Sequence, residues 1–313
     1  MFPGLWLSLL LTQTSAPSLH YTAEKVKEGQ QRTPEQFAFT TWEPSCELET
    51  LFVGVDEANL RKEPSTEAAV VAVLPLGAAV RVQERGTARL KVGEYVNHWY
   101  SVEHVDTKGT AEKADDSVLR GWLFGNTLTP FRFEEDFDGD GEKEVATVVM
   151  SGDFKIRVRV LEPKLKPPFR VSSVDARPAG ENWRQVSGGP AAVTLVPSKT
   201  AGVVLLRVDS TPEECGEYST TYVSYTVPGN KKGVLGTAKL ALLLEGVSEA
   251  PGVSRYEVSF QARKKELTMV RTDEQEDESG NVLTTKAQTR YQLKDGVYSE
   301  LTPADSSVAE SKP

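Results

Sequence analysis

Cysteine, histidine, positive charge and helical periodicity are all scarce in this chain, and each scarcity removes a class of protein. Of 313 residues, two are cysteine and three are histidine. A disulfide-stapled miniprotein needs a denser cysteine framework. Zinc sites need Cys/His spacings that His20, His98 and His104 do not provide. Cys46 and Cys215 leave two readings open, one long-range disulfide or two buried thiols. Cys215 lies in Glu213-Glu214-Cys215-Gly216-Glu217, an acidic setting that opposes a thiolate nucleophile. Lysine and arginine total 36 against 45 acidic residues, for a net charge of −9. That balance argues against a nucleic-acid-binding face and against simple docking on anionic lipid. No apolar run reaches the roughly 20 residues of a membrane-spanning helix, so no stable membrane insertion is expected. Neither a Gly-x-Ser-x-Gly elbow nor a Gly-x-x-x-x-Gly-Lys-Ser/Thr loop occurs, so those nucleophile and phosphate-binding motifs are missing.

What is present is a succession of short strand-like runs. The length allows two ordinary domains. Leu5-Trp6-Leu7-Ser8-Leu9-Leu10-Leu11 has the length of a signal-peptide core, although no Lys or Arg precedes it. Residues 1–18 are therefore expected to be a signal peptide, and the protein to be periplasmic or secreted. Residues 19–50 read as a polar linker with a lead-in strand at Phe37–Trp42.

From Leu51 the pattern tightens. Asn59-Leu60-Arg61, Pro64-Ser65, the turn at Leu74–Gly77, Trp99-Tyr100 and Gly121-Trp122-Leu123 follow in order, ending near Leu128. Over residues 51–130 this series resembles the bacterial SH3 (SH3b) family. Glu63 stands where that family has glycine before Pro-Ser, so the turn there is expected to be built differently. Residues 106–119 are an additional polar stretch between two strands. The resemblance implies a small five- or six-stranded SH3-like barrel, not catalytic by itself, that binds cell-wall peptides or a protein partner. Tyr95, Trp99, Tyr100, Trp122 and Phe124 are the candidate aromatic lining of a peptide groove. The competing reading of the same residues is a barrel core.

Past Pro130, Asp136-Phe137-Asp138-Gly139-Asp140-Gly141-Glu142-Lys143-Glu144 places carboxylates at alternate positions with glycines at sharp turns. Hard cations such as Ca²⁺ are held by oxygens in this arrangement. Asp136, Asp138, Asp140, Glu142 and Glu144 are the candidate ligands, Glu142 through its backbone carbonyl. An EF-hand requires a bidentate Glu at its twelfth position, here Thr147, and an exiting helix. Instead Val145–Met150 is apolar on both faces and reads as a strand. The loop resembles the β-hairpin calcium loops of FG-GAP and VCBS-like repeats. It occurs once, so a repeat-built propeller is not expected. A structural Ca²⁺ is.

Phe154–Val160 alternates with period two, placing Arg157 and Arg159 on a basic face expected to be solvated. Further runs at 191–196, 202–208, 219–227, 235–244, 256–260, 267–271 and 284–293 read as strands, with Lys294-Asp295-Gly296 as a hairpin turn. Residues 303–313 form a polar tail expected to be disordered. The expectation is a mainly β protein, an SH3-like barrel followed by a second antiparallel β domain, sheet or sandwich, over 131–302. Its expected role is non-catalytic binding to envelope material or a protein partner. The alternative is an envelope hydrolase with an unrecognised site in the second domain.

Overall fold

A computed structural model describes residues 18–24, 38–41, 50–93, 95–105, 118–151, 155–176, 188–210, 216–229, 231–248, 252–276 and 280–301. The apolar N-terminal run up to Pro17, both cysteines and the C-terminal tail lie outside these residues. The described chain is mainly strand with almost no helix, and antiparallel pairing dominates, as the turn-punctuated pattern predicts.

Two N-terminal strands come first, β1 (Ser18–Glu24) and β2 (Ala38–Thr41). The barrel follows. It comprises β3 (Thr50–Val53), β4 (Glu57–Arg61), β5 (Val70–Pro75), β6 (Ala79–Val92), β7 (Tyr95–Val105), β8 (Val118–Phe124) and β9 (Leu128–Thr129). Antiparallel ladders β3–β6, β6–β7, β7–β8, β8–β4, β4–β5 and β3–β9 curl it on itself. Leu51, Val53, Leu60, Leu74, Val80, Tyr100, Val102, Leu123 and Leu128 fill its interior. The turn at Glu63 is built without a left-handed residue, because only Lys265 and Asp295 are non-glycine residues with positive φ among those described. Glu63 instead accepts a bond from the Ser65 N–H through its carbonyl.

A four-stranded meander comes next, β10 (Arg132–Glu135), β11 (Glu144–Ser151), β12 (Lys155–Leu161) and β13 (Val171–Ala176). The acidic loop is the β10–β11 hairpin connection, with Glu135 paired to Glu144 at its base. The remaining strands are β14 (Gly188–Val196), β15 (Leu205–Ser210), β16 (Glu217–Thr226) and β17 (Thr237–Val247). A short helix, α1 (Ser198–Ala201), lies between β14 and β15. The last four are β18 (Gly252–Gln261), β19 (Glu266–Glu276), β20 (Val282–Lys294) and β21 (Val297–Glu300).

Burial explains how these pieces stack. Strand β11 is buried on both faces. One face meets the barrel. A Cβ on Gly54 would lie 2.2 Å from Val149 Cγ1, and one on Gly77 2.9 Å from Val145 Cγ1, so both positions need glycine for the layers to touch. The other face carries Ala146 and Val148 into a core shared with Val193, Leu206, Val208, Val223 and Tyr225 of β14–β16. Strand β16 is in turn buried on both sides, with Tyr222 facing a second core that includes Leu205, Leu244, Leu267 and Tyr298. The meander is thus a middle layer between the barrel and the β14–β17 sheet. Strands buried on both faces read as continuous apolar runs rather than alternating ones.

The basic face of β12 is not the solvated surface expected. Arg159 is mostly buried and reaches into the barrel, with Nε 3.1 Å from Asp56 Oδ1 and an NH1 bond to the Gly54 carbonyl. Arg157 forms a bidentate pair with Asp175 at 2.6 and 2.7 Å. Residues 18–24, within the stretch expected to be signal end and linker, form a strand that pairs with β14 and β2, and β2 pairs in parallel with β7. These ladders join barrel and C-terminal strands through backbone hydrogen bonds that no local pattern announces.

Candidate functional site

The acidic loop is held by its own backbone. Asp136 accepts the Gly139 N–H at 2.8 Å and the Gly141 N–H at 2.9 Å, one on each carboxylate oxygen. Asp138 accepts from the Asp140 N–H, and Asp140 from the Glu142 N–H. Gly139 and Gly141 have φ of +80° and +88°, a region that suits residues without Cβ. Phe137 turns inward, 3% exposed, and anchors the loop in the main core.

These turns bring Asp136, Asp138 and Glu144 together, with one ligand atom from each lying within 4.8 Å of the others. Ca²⁺–oxygen distances are about 2.3–2.6 Å, so two oxygens on one ion lie no more than roughly 5 Å apart. The trio fits that limit. The side chains of the other two candidates lie apart from this trio, which leaves the Glu142 backbone carbonyl, its expected donor, unaffected. Asp140 lies outside the trio, and Glu142 turns its side chain to Lys164 and to Lys232, the latter at 3.9 Å.

Glu144 is 1% exposed. Its Oε2 accepts the Phe137 N–H at 2.7 Å, while its Oε1 is buried with no hydrogen-bond partner among the described residues. A buried ionised carboxylate with an unsatisfied oxygen is costly unless protonated or neutralised by a cation. Burial, with the charges of Glu162, Asp138 and Asp136, pushes its pKa up to about 8 against the opposing Phe137 bond. Asp138 is raised as well, chiefly by burial. The donor set is all oxygen, one buried oxygen lacks a partner, and the spacing suits one hard cation.

Sequence reasoning missed the neighbours that brace the loop. Glu162, at the end of β12, is buried, and its Oε1 accepts the Tyr225 hydroxyl at 2.7 Å. That hydroxyl accepts the Gly236 N–H at 2.7 Å. Burial, then the charges of Asp138, Asp140 and Glu142, raise the Glu162 carboxyl, with the Tyr225 bond opposing. The only sequence signal was an acidic residue directly after the alternating Val158-Arg159-Val160-Leu161 run.

The aromatic candidates divide. Trp99, Tyr100 and Phe124 are buried at 4%, 2% and 7%. Trp99 packs on Phe124 with ring centroids 5.4 Å apart. None of the three lines an open groove: Tyr100 faces the barrel interior, whereas Trp99 and Phe124, at the alternate positions of β7 and β8, are buried on the opposite face. Tyr95 and Trp122 are partly exposed. Trp122 pairs across strands with Arg61 and Ser101, and Arg61 pairs with Val70, so these side chains share the outer face of the sheet. Val70 and Val73 on β5 are 47% and 52% exposed. His98 and His104 bond the carbonyls of Gly86 and Ala79 through Nδ1, a structural use of both rings.

Residues 56–129 match the family model of the bacterial SH3 domain, within the 51–130 span that carries the sequence resemblance. The same comparison finds no FG-GAP or VCBS repeat and no calcium loop at 136–144. No curated protein and no solved structure matches the chain. The chain is mainly β, and its residues 56–129 match the bacterial SH3 domain, a module that fits cell-envelope or protein binding.

Proposed function

We propose that this is an exported, non-catalytic binding protein whose SH3 module recognises cell-envelope material or a protein or peptide partner, with a calcium ion stabilising the junction to the second domain. The bacterial SH3 match over residues 56–129 carries this reading. The surface we assign to binding is the outer face formed by Trp122, Arg61, Val70 and Val73, because it combines a partly exposed indole with exposed apolar side chains. Among the described residues no helix is long and apolar enough to cross a membrane.

The residues at the loop fit a calcium ion. Asp136, Asp138 and Glu144 would hold it, and it would supply positive charge where carboxylates crowd and where the Glu144 Oε1 lacks a donor among the described residues. Its role is structural, since it would sit where the loop meets the core through Phe137.

The test is co-sedimentation of the purified chain with cell walls, alongside Trp122→Ala. The reading predicts that the parent pellets and that the variant stays in the supernatant with its melting temperature unchanged. Parent protein left wholly in the supernatant argues against wall binding and directs the search to a soluble protein partner.

A further inference from the structure

Beside the acidic loop lies a cleft of about 420 Å³, within the roughly 300–1,000 Å³ range of small-molecule sites. Phe137 and Tyr225, both buried, give it an apolar floor. Asp138, Lys239, Lys265 and Asp295 give it charged walls. The cleft is where the loop, the β16–β17 hairpin, the turn before β19 and the β20–β21 turn converge.

Two features set it apart from a surface depression. Lys239 Nζ donates to the Asp295 carbonyl at 2.6 Å, so its ammonium is held at the wall. Lys265 and Asp295, the two non-glycine residues with positive φ among those described, at 51° and 50°, both line this cleft. For Asp before Gly296 in a two-residue hairpin that conformation is ordinary. Lys265 adopts it as the left-handed cap that ends the 3-10 turn at Ala262–Lys264, its N–H bonded to the Ala262 carbonyl, a position where glycine is more usual than lysine. The neighbouring chain accommodates it: a Cβ at Gly202 would lie 2.9 Å from Lys265 Cγ. The fold keeps a lysine where glycine would be easier, and that lysine lines the cleft.

Asp138 belongs to both the carboxylate trio and the cleft wall. Ca²⁺ takes six to eight oxygens, more than the three side chains bring together. We propose that the cleft binds a small ligand through a carboxylate group, which is shared between the cation held at Asp138 and the ammonium groups of Lys239 and Lys265. This rests on the calcium reading above. A monoanion suits the walls better than a phosphate dianion, because Asp295 offsets one of the two lysines. A peptide C-terminus and a sugar acid both offer this chemistry.

The experiment is calorimetric titration of the full chain with acetyl-alanyl-alanine and with glucuronate. Acetyl-alanyl-alanine amide and glucose serve as uncharged controls, each in calcium and after chelation. At least one carboxylate is expected to bind in calcium, at least tenfold more weakly after chelation, with its uncharged counterpart silent. Which carboxylate binds identifies the source. Lys265→Gly is expected to weaken that binding at least tenfold while its melting temperature is equal or higher and its calcium affinity is unchanged. Normal calcium binding with no carboxylate binding overturns this inference and leaves the calcium reading standing. So does carboxylate binding that survives in Lys265→Gly or extends to the uncharged controls. Absence of calcium binding removes the calcium reading and this inference together.

Discussion

With 1% of its surface exposed, Glu144 has one carboxyl oxygen on the Phe137 N–H and the other without a partner among the described residues. Its charge is unfavourable there without a cation. Glu144→Gln keeps the shape and the Phe137 bond while removing the charge. The expected result in chelator is a melting temperature equal to or above that of the parent, with no rise on adding calcium, whereas the parent rises. Thermal melts with and without calcium check this. Asp175 gives a separate test of electrostatics. Its bond to Arg157 holds its pKa below the ordinary carboxylate value. The folded form therefore binds that proton less tightly than the unfolded form. The stabilisation is fully present above the unfolded value of about 3.9 and is lost as pH falls through the lower folded value. Asp175→Asn is expected to cost no more than about 1 kcal/mol near neutrality, since the pair is partly exposed. The difference from the parent is expected to shrink towards zero in acid, as read by urea unfolding across pH.

Among elements, β11 shows what local pattern reveals and what it conceals. Its two-sided apolar composition is legible, and so is the hairpin loop that precedes it. What lies on each side is not, because contacts such as Gly54 against Val149 join residues far apart in the chain. Gly54→Ala is accordingly expected to destabilise the protein by about 1–3 kcal/mol through overpacking, measured by urea unfolding. Arg159 illustrates the same limit. Period-two alternation places it on the polar face of β12, but that face is covered by the barrel, so the side chain is largely buried against Asp56 and Gly54. The aromatic cluster was legible as a group. Its division depends on which way each position faces in the closed barrel: Tyr100 points into the interior, whereas Trp99, Trp122 and Phe124 share the other face, where only Trp122 stays partly exposed. Strand β13, Val-Ser-Ser-Val-Asp-Ala, has too weak a pattern to stand out and is defined by its ladder with β12. Glu162 was likewise invisible as a partner of the loop, since its role depends on Tyr225 arriving from a different sheet.

For the whole molecule, the barrel, the meander and the β14–β17 sheet share one hydrophobic cluster, running from Leu51 and Leu123 through Ala146 and Val158 to Leu206 and Val223. Units that share a core unfold together more readily than units on a linker. A single calorimetric transition for these layers is expected, with agreement between calorimetric and van't Hoff enthalpies. Two resolved transitions would show that barrel and meander are independent. The acidic loop sits at this junction, with Phe137 in the shared core and Glu162–Tyr225 bracing it from the neighbouring sheet. The most direct measurement is a calcium titration of the chelator-stripped full chain by isothermal calorimetry. The account predicts saturable binding of one ion per chain, abolished in Asp138→Ala, together with a higher melting temperature in the calcium form. No binding at millimolar calcium, or binding that is undiminished in Asp138→Ala, contradicts it.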